Sequence, residues 1–361
     1  MKKLRDYGIT IGKLSPGPRN QITDISGVTV GHSTIKDGSI QTGVTVILPH
    51  QGDIYNKKVV GACHIINGYS KPKGAVQVQE LGSIEAPILL TNSLSIGAVW
   101  DGIIDHMLEN NEEIGTSAGA VNPVIAECND SFLNDIRGRH VKRHHVSEAL
   151  ADGKEDFGEG NFGAGTGMTA FGLKGGIGSS SRVVEFDDRH YTIGSLVLTN
   201  FGRLEDLMID GRKIGAWINE KQEEKDEEHP RDLQNQFSET KGSVVIVLAT
   251  DAPLTDRQLE RLSKRATVGL ARTGAELAHK SGDLVIAFST KNLITHAGTE
   301  VTESVERFEE DMLDRMFIGA IEAVEESVIN SLITAEKTVG RDGHYRESLK
   351  DYIEDYLSQQ Q

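Results

Sequence analysis

The sequence predicts a mixed α/β fold. Three observations carry that prediction. Short apolar or alternating runs recur between Gly, Asp, Asn or Pro; stretches with helical periodicity lie among and after them; and 39 glycines with few aromatics in 361 residues imply many turns between short strands.

In chain order, strands are expected at 27–32, 43–48 and 86–90, each a short apolar or alternating run closed by turn residues. A helix is expected at 96–108, where Ile103, Ile104 and Leu108 share a face. Strands return at 182–185, 195–198 and 243–249; the last, beginning at Ser243, continues as VVIVLAT and is apolar enough to require burial in the core. A helix at 256–270 starts at a plausible N-cap and carries the stripe Leu259, Leu262, Ala266 and Leu270. A strand at 283–288 and helical periodicity from 301 to 335 complete the pattern, with no internal repeat.

Composition narrows the function. Charged residues make up 25% and the formal net charge is -16, which argues against a nucleic-acid binder, since phosphate contacts need clustered Lys and Arg. The one dense basic run is 137–143. The acidity reads as solubility. Two cysteines, Cys63 and Cys128, demand no disulfide and suit a reducing compartment. The start MKKLRDYGITIGKL has no apolar core of a signal peptide, and no run approaches a membrane span. A cytoplasmic protein without membrane partners is expected.

Residues 219–241 (NEKQEEKDEEHPRDLQNQFSETK) are charged and nearly free of large apolar side chains, so a mobile surface loop is expected there. Gly242 and Ser243 follow directly and open the apolar strand. A serine hydroxyl needs a base to become a nucleophile. Cutting the chain before Ser243 would supply one, the new α-amine, whose reference pKa is about 7.7–8.0. A glycine at 242 would tolerate the strained backbone such a cut requires. On residues alone, a simple Gly-Ser turn explains the same pattern.

The wider sequence adds ordered blocks: NQITDISGVTVGHST (20–34), LTNSLSIGAVWDG (90–102), ECNDSFLND (127–135), GNFGAGTGMTAFGLKGGIGSSSR (160–182), LVLTNFGR (196–203), GSVVIVLATDAPLTDRQLERLSKRATVGLARTG (242–274) and SGDLVIAFST (281–290). With these the chain resembles, over nearly its whole length, the L-aminopeptidase/D-amidase/D-esterase family, which includes β-peptidyl aminopeptidases and, more distantly, nylon-oligomer hydrolases. The resemblance implies one αββα sandwich over 1–361, like that of N-terminal-nucleophile hydrolases. It implies self-cleavage into an α chain (1–242) and a β chain (243–361), with Ser243 as nucleophile. The family's supporting hydroxyl and carboxylate match Ser281 and Asp283, the latter a glutamate in some relatives. The oxyanion-side asparagine matches Asn200. Asn92 and Asn129 fall in blocks bordering the substrate cleft, although some relatives carry a tyrosine close to the position of Asn129. Lys174 aligns with a lysine of the nylon-hydrolase branch. The expected enzyme is an aminopeptidase or amidase acting on small peptides, amides or esters, without metal or cofactor, as a homo-oligomer, a tetramer of αβ units.

Ser195, also preceded by glycine, is a second nucleophile candidate, but residues 187–194 read as a hairpin. The turn 163–167 lacks the preceding apolar strand of a nucleotide fingerprint and reads as a tight turn lining the cleft. His140, His144 and His145 read as a solvated basic face instead of metal ligands, and His32 and His64 as satisfied core histidines. Thr91, Asn92 and Ser93 also suit a polar turn, and Asp251 a strand terminator. Two other functions fit: an acyltransferase of ornithine acetyltransferase type, whose members usually process before a threonine, and a non-catalytic scaffold.

Overall fold

The run VVIVLAT is apolar up to its last residue, Thr250, because it is covered on both faces. In the computed structural model, which describes residues 2–228, 242–298 and 301–359, the elements are β1 (Thr29–Asp37), β2 (Ile40–Leu48), β3 (Lys57–Gly68), α1 (Ala75–Leu81), β4 (Ser83–Ile84), β5 (Ile88–Asn92), α2 (Ile96–Asn110), β6 (Val124–Cys128), α3 (His144–Ala151), β7 (Thr169–Ala170), β8 (Leu173–Lys174), β9 (Ile177–Phe186), β10 (Arg189–Asn200), α4 (Ile214–Glu228), β11 (Ser243–Thr250), α5 (Asp256–Arg272), β12 (Gly282–Thr295), α6 (Leu313–Ile333), β13 (Thr338–Val339), β14 (Tyr345–Arg346) and α7 (Lys350–Ser358).

Two sheets stack face to face. One has six strands in the order β4-β3-β12-β11-β10-β9, the other four in the order β1-β2-β5-β6. Alternate residues of a strand point to opposite faces. In β11, Val245, Val247 and Ala249 therefore meet Val30, Ile47, Ile88 and Leu90 of the smaller sheet. Val244, Ile246 and Leu248 turn the other way, onto Leu259, Leu262 and Ala266 of α5 and Ala320, Val324 and Val328 of α6. On the far side of the smaller sheet, Val44, Val46, Leu89 and Ile125 pack on Val99 and Ile103 of α2 and Val146 and Ala149 of α3. The layers run helix, sheet, sheet, helix, which is an αββα sandwich.

Each expected strand has a counterpart, lengthened or displaced by its pairing. The stripe expected on α5 is buried as read, and Thr255 caps it in a reciprocal box with Gln258. Three readings are corrected. The buried face of α2 is Ile96, Val99, Ile103 and Met107, while Leu108 is exposed. The last long helix begins only at Leu313: of the apolar residues spaced for a helix before it, Val301, Val305 and Met312 stay exposed and only Phe308 is buried. Residues 219–228 are helical: they extend α4, anchored by buried Ile214 and Ile218, and Glu, Lys and Gln sustain a helix well. The remainder of the expected loop, 229–241, lies outside the described residues. No helix among the described residues is long and apolar enough to cross a membrane.

Candidate active site

Strand order assembles the site. Asn200 ends β10 and Ser243 begins β11, and the antiparallel register makes them direct partners. β12 runs parallel to β11 with Gly282 opposite Ser243, so Ser281 and Asp283 bracket the serine from the other side. Residues distant in sequence thus meet where three central strands share an end.

Asp283 is fully buried, and its Oδ1 accepts the Ser281 hydroxyl at 2.6 Å. Burial pushes the carboxyl up to about 6, against the opposing hydrogen bonds from Ser281 and the Val244 N–H. Its Oδ2 and the Ser243 Oγ are buried with no hydrogen-bond partner among the described residues. Unpaired buried polar atoms are costly, so each of the two needs an explanation.

Asn200 is oriented by the backbone. The Thr169 N–H donates to its Oδ1 at 3.3 Å, which assigns the amide and leaves Nδ2 as a donor with no acceptor among the described residues. Gly242 is required for space: a Cβ there would lie 2.8 Å from Phe201 Cα. Close approach to Phe201 by itself requires a glycine here. The Gly242 carbonyl accepts the Gly282 N–H at 3.3 Å.

A cleft of about 640 Å³ opens beside these groups, lined by Gly242, Asn200, Ser281, Thr169, Asn129, Phe132 and the turn from Arg341 to Arg346. Sequence reading missed that turn, although RDGHYR places three basic side chains on one short loop. It also missed Cys128, whose thiol neighbours Ser243 and is pushed far up by burial. No sequence signal marks it, because its position depends on the parallel register of β5 and β6.

The other candidates are placed as follows. Asn129 lines the cleft, its Oδ1 accepting the Ser131 N–H. Asn92 does not reach the cleft: it is buried, donating to Thr42 Oγ1 and accepting from the Leu94 N–H, a turn cap at the end of β5. Lys174 does not reach it either. Its Nζ is fully buried, where burial pushes its pKa well down, and lies 2.7–2.9 Å from the carbonyls of Gly165, Met168 and Gly175, tying down the glycine-rich turn. That turn packs under the cleft on β1 and β2, and its continuation reaches the lining at Thr169 and Gly172.

Ser195 sits fully buried in mid-strand between Ser180 and Leu248, far from a strand end. His32 is a satisfied core histidine, bonded to Thr45 and Gly158 and lowered to about 4 by burial. His64 is not: it is half-buried beside Glu260 and Lys264 of α5. His140 pairs with Asp135, and the His144 and His145 rings lie 4.0 Å apart, tilted by 38°. Among the described residues no three His, Cys, Asp or Glu side chains converge as a metal site would need. Asp251 closes β11 by accepting the Thr192 N–H.

The model of peptidase family S58 matches residues 20–346. The chain belongs to that family. It is 35% identical to the β-peptidyl aminopeptidase BapA of Sphingosinicella microcystinivorans, over 95% of this chain and 88% of that one. The solved PH0078 protein of Pyrococcus horikoshii OT3 superposes with a TM-score of 0.91 at 49% identity, covering 99% of this chain and 98% of that one. The L-aminopeptidase D-Ala-esterase/amidase of Ochrobactrum anthropi, described as a prototype of the serine aminopeptidases with a variant Ntn hydrolase fold, gives 0.90 at 32% identity over 100% and 99% of the two chains. This S58 member is an aminopeptidase of the serine, N-terminal-nucleophile type; the acyltransferase and scaffold readings gain no support.

Proposed function

We propose that this S58 peptidase cuts itself between Gly242 and Ser243 and then removes amine-bearing residues from small peptides, amides or esters through an acyl-enzyme on Ser243. The observation carrying the reading is the buried, unpaired Ser243 Oγ, set between the Asn200 amide and the Ser281–Asp283 pair at the edge of the cleft. After the cut, the Ser243 α-amine takes the hydroxyl proton and returns it to the leaving amine. Ser281 and Asp283 hold and polarise the nucleophile. The Asn200 Nδ2 donates to the developing oxyanion, a contribution of about 2.7–4 kcal/mol for one donor. Lys174 acts beneath the site, fixing the Met168 carbonyl and so the Thr169 N–H that orients Asn200.

Residues 1–242 and 243–361 become the α and β chains of one hydrolase, which we place in the cytoplasm as a homo-oligomer of αβ units. Both cysteines stand as free thiols, which suits a reducing compartment. The test compares an amino-acid anilide bearing a free amine with its N-acetylated form. Hydrolysis confined to the free amine supports the aminopeptidase reading; equal rates on both would overturn it.

A further inference from the structure

The cleft carries two groups of charge that differ in how they are balanced. On one wall Arg203 is matched, its Nε 2.9 Å from Asp206 and its Nη2 2.8 Å from Glu276. On the other, the turn between β13 and β14 presents Arg341, His344 and Arg346. Arg341 has one ion pair among the described residues, to Asp342 at 3.8 Å, where Asp342 is 68% exposed, and the Asp135 carboxylate acts on it from a greater distance, so its charge is only partly neutralised. The Arg341 Nε is buried with no hydrogen-bond partner among the described residues.

This wall is held rigidly. The Arg341 N–H donates to the Leu133 carbonyl at 2.8 Å, and His344 Nδ1 is bonded to the Phe132 carbonyl at 2.9 Å. The His344 ring stacks on Phe132 at 4.7 Å, and the Arg346 guanidinium lies over the same ring at 3.7 Å. A guanidinium carried into a cleft on such a fixed backbone is matched by a carboxylate, which it can bind through two parallel hydrogen bonds.

We propose that Arg341 and the turn around it bind the free C-terminal carboxylate of the substrate, so that the preferred substrates are short peptide acids. The inference rests on the Ser243 reading. An aminopeptidase substrate carries its ammonium on the acyl side, and a cationic wall repels that end. The wall therefore takes the leaving-group side. A cleft of about 640 Å³ encloses a small ligand, which confines the carboxylate to the first few residues after the scissile bond.

The experiment measures kcat/KM of the purified, processed enzyme on a dipeptide acid and on the same dipeptide with its C-terminus amidated. The expected result is a preference for the acid of about tenfold or more, chiefly in KM, that shrinks as salt is raised. In Arg341→Gln the ratio falls towards one, and in Arg341→Lys part of it returns; thermal melting and intact mass confirm that both variants are folded and processed. Equal kcat/KM on acid and amide overturns the carboxylate wall while leaving the Ser243 reading standing, since both are cleaved. Cleavage of neither overturns both.

Discussion

Two buried polar clusters lie on the same six-stranded sheet and are treated in opposite ways. Where β9 meets α6, Arg182 is fully buried. It gives its Nε to Glu322 at 3.2 Å, its Nη1 to the Ser181 carbonyl at 2.7 Å and its Nη2 to Glu326 at 2.6 Å, with the Ile11 carbonyl at 3.0 Å. Glu326 also accepts two bonds from the Arg5 Nε and one from its Nη2. Charge and hydrogen bonding are both closed there, which is what structure requires of buried ions. At the β10–β11–β12 end, Ser243 Oγ and Asp283 Oδ2 are left open. An unpaired hydroxyl alone does not mark function, since Ser195 Oγ is unpaired too; but Ser195 is sealed within the sheet, whereas Ser243 adjoins a carboxyl, an amide donor and a cleft.

The contrast predicts that the two clusters respond to different measurements. Ser243→Ala should abolish self-cleavage and lower amide hydrolysis by about 10⁴-fold or more without loss of stability. Intact self-cleavage in that variant would end the account. Arg182→Ala should cost about 3–5 kcal/mol in chemical denaturation, because buried Glu322 loses its cation and Glu326 is left with Arg5 alone, while turnover per folded molecule is kept. A large fall in turnover without destabilisation would merge the two clusters into one functional network. Asn200→Ala should lower kcat by about 10²–10³-fold, corresponding to one oxyanion donor, with stability little changed. An effect confined to KM would instead make Asn200 a ground-state contact.

The smallest effect concerns pH. With the Asp283 carboxyl at about 6 and the Ser243 α-amine active only when neutral, activity should fall in two steps towards acid, the lower one at about 6 as Asp283 takes a proton, and Asp283→Asn should lose that lower step while the step of the amine remains. Stability runs the other way. The folded pKa lies above the unfolded value of 3.8, so the folded state holds the proton more tightly, and ionising Asp283 destabilises it as pH rises from 3.8 to about 6. Asp283→Asn should remove this slope, leaving a flatter stability profile between those limits. An unchanged lower step in the variant would assign it to another group.

Much of the framework was legible in sequence where burial is uniform. VVIVLAT is apolar because two layers cover it, and the α5 stripe is regular because it packs on one flat sheet. Elements with mixed environments were not legible. β3 alternates between core and half-exposed positions and keeps no clean period. α4 becomes polar after its first turns, so composition suggests a loop although its anchors are buried. In the site, Ser243, Asn200, Ser281 and Asp283 were found through resemblance in several blocks; no local spacing joins positions 200, 243 and 281, which only the strand order brings together. Lys174 aligned with a functional lysine, yet its burial beneath the glycine turn could not be read from sequence. The Arg341–Arg346 wall was visible as basic residues, but nothing linked it to Phe132 before the fold did.

The central claim is that Ser243 becomes an N-terminal residue. Intact mass of the freshly purified protein under denaturing conditions tests it most directly. Two fragments are predicted, the smaller close to one third of the chain and beginning at Ser243. A single full-length chain that hydrolyses amides, or a break at Ser195, would contradict the account.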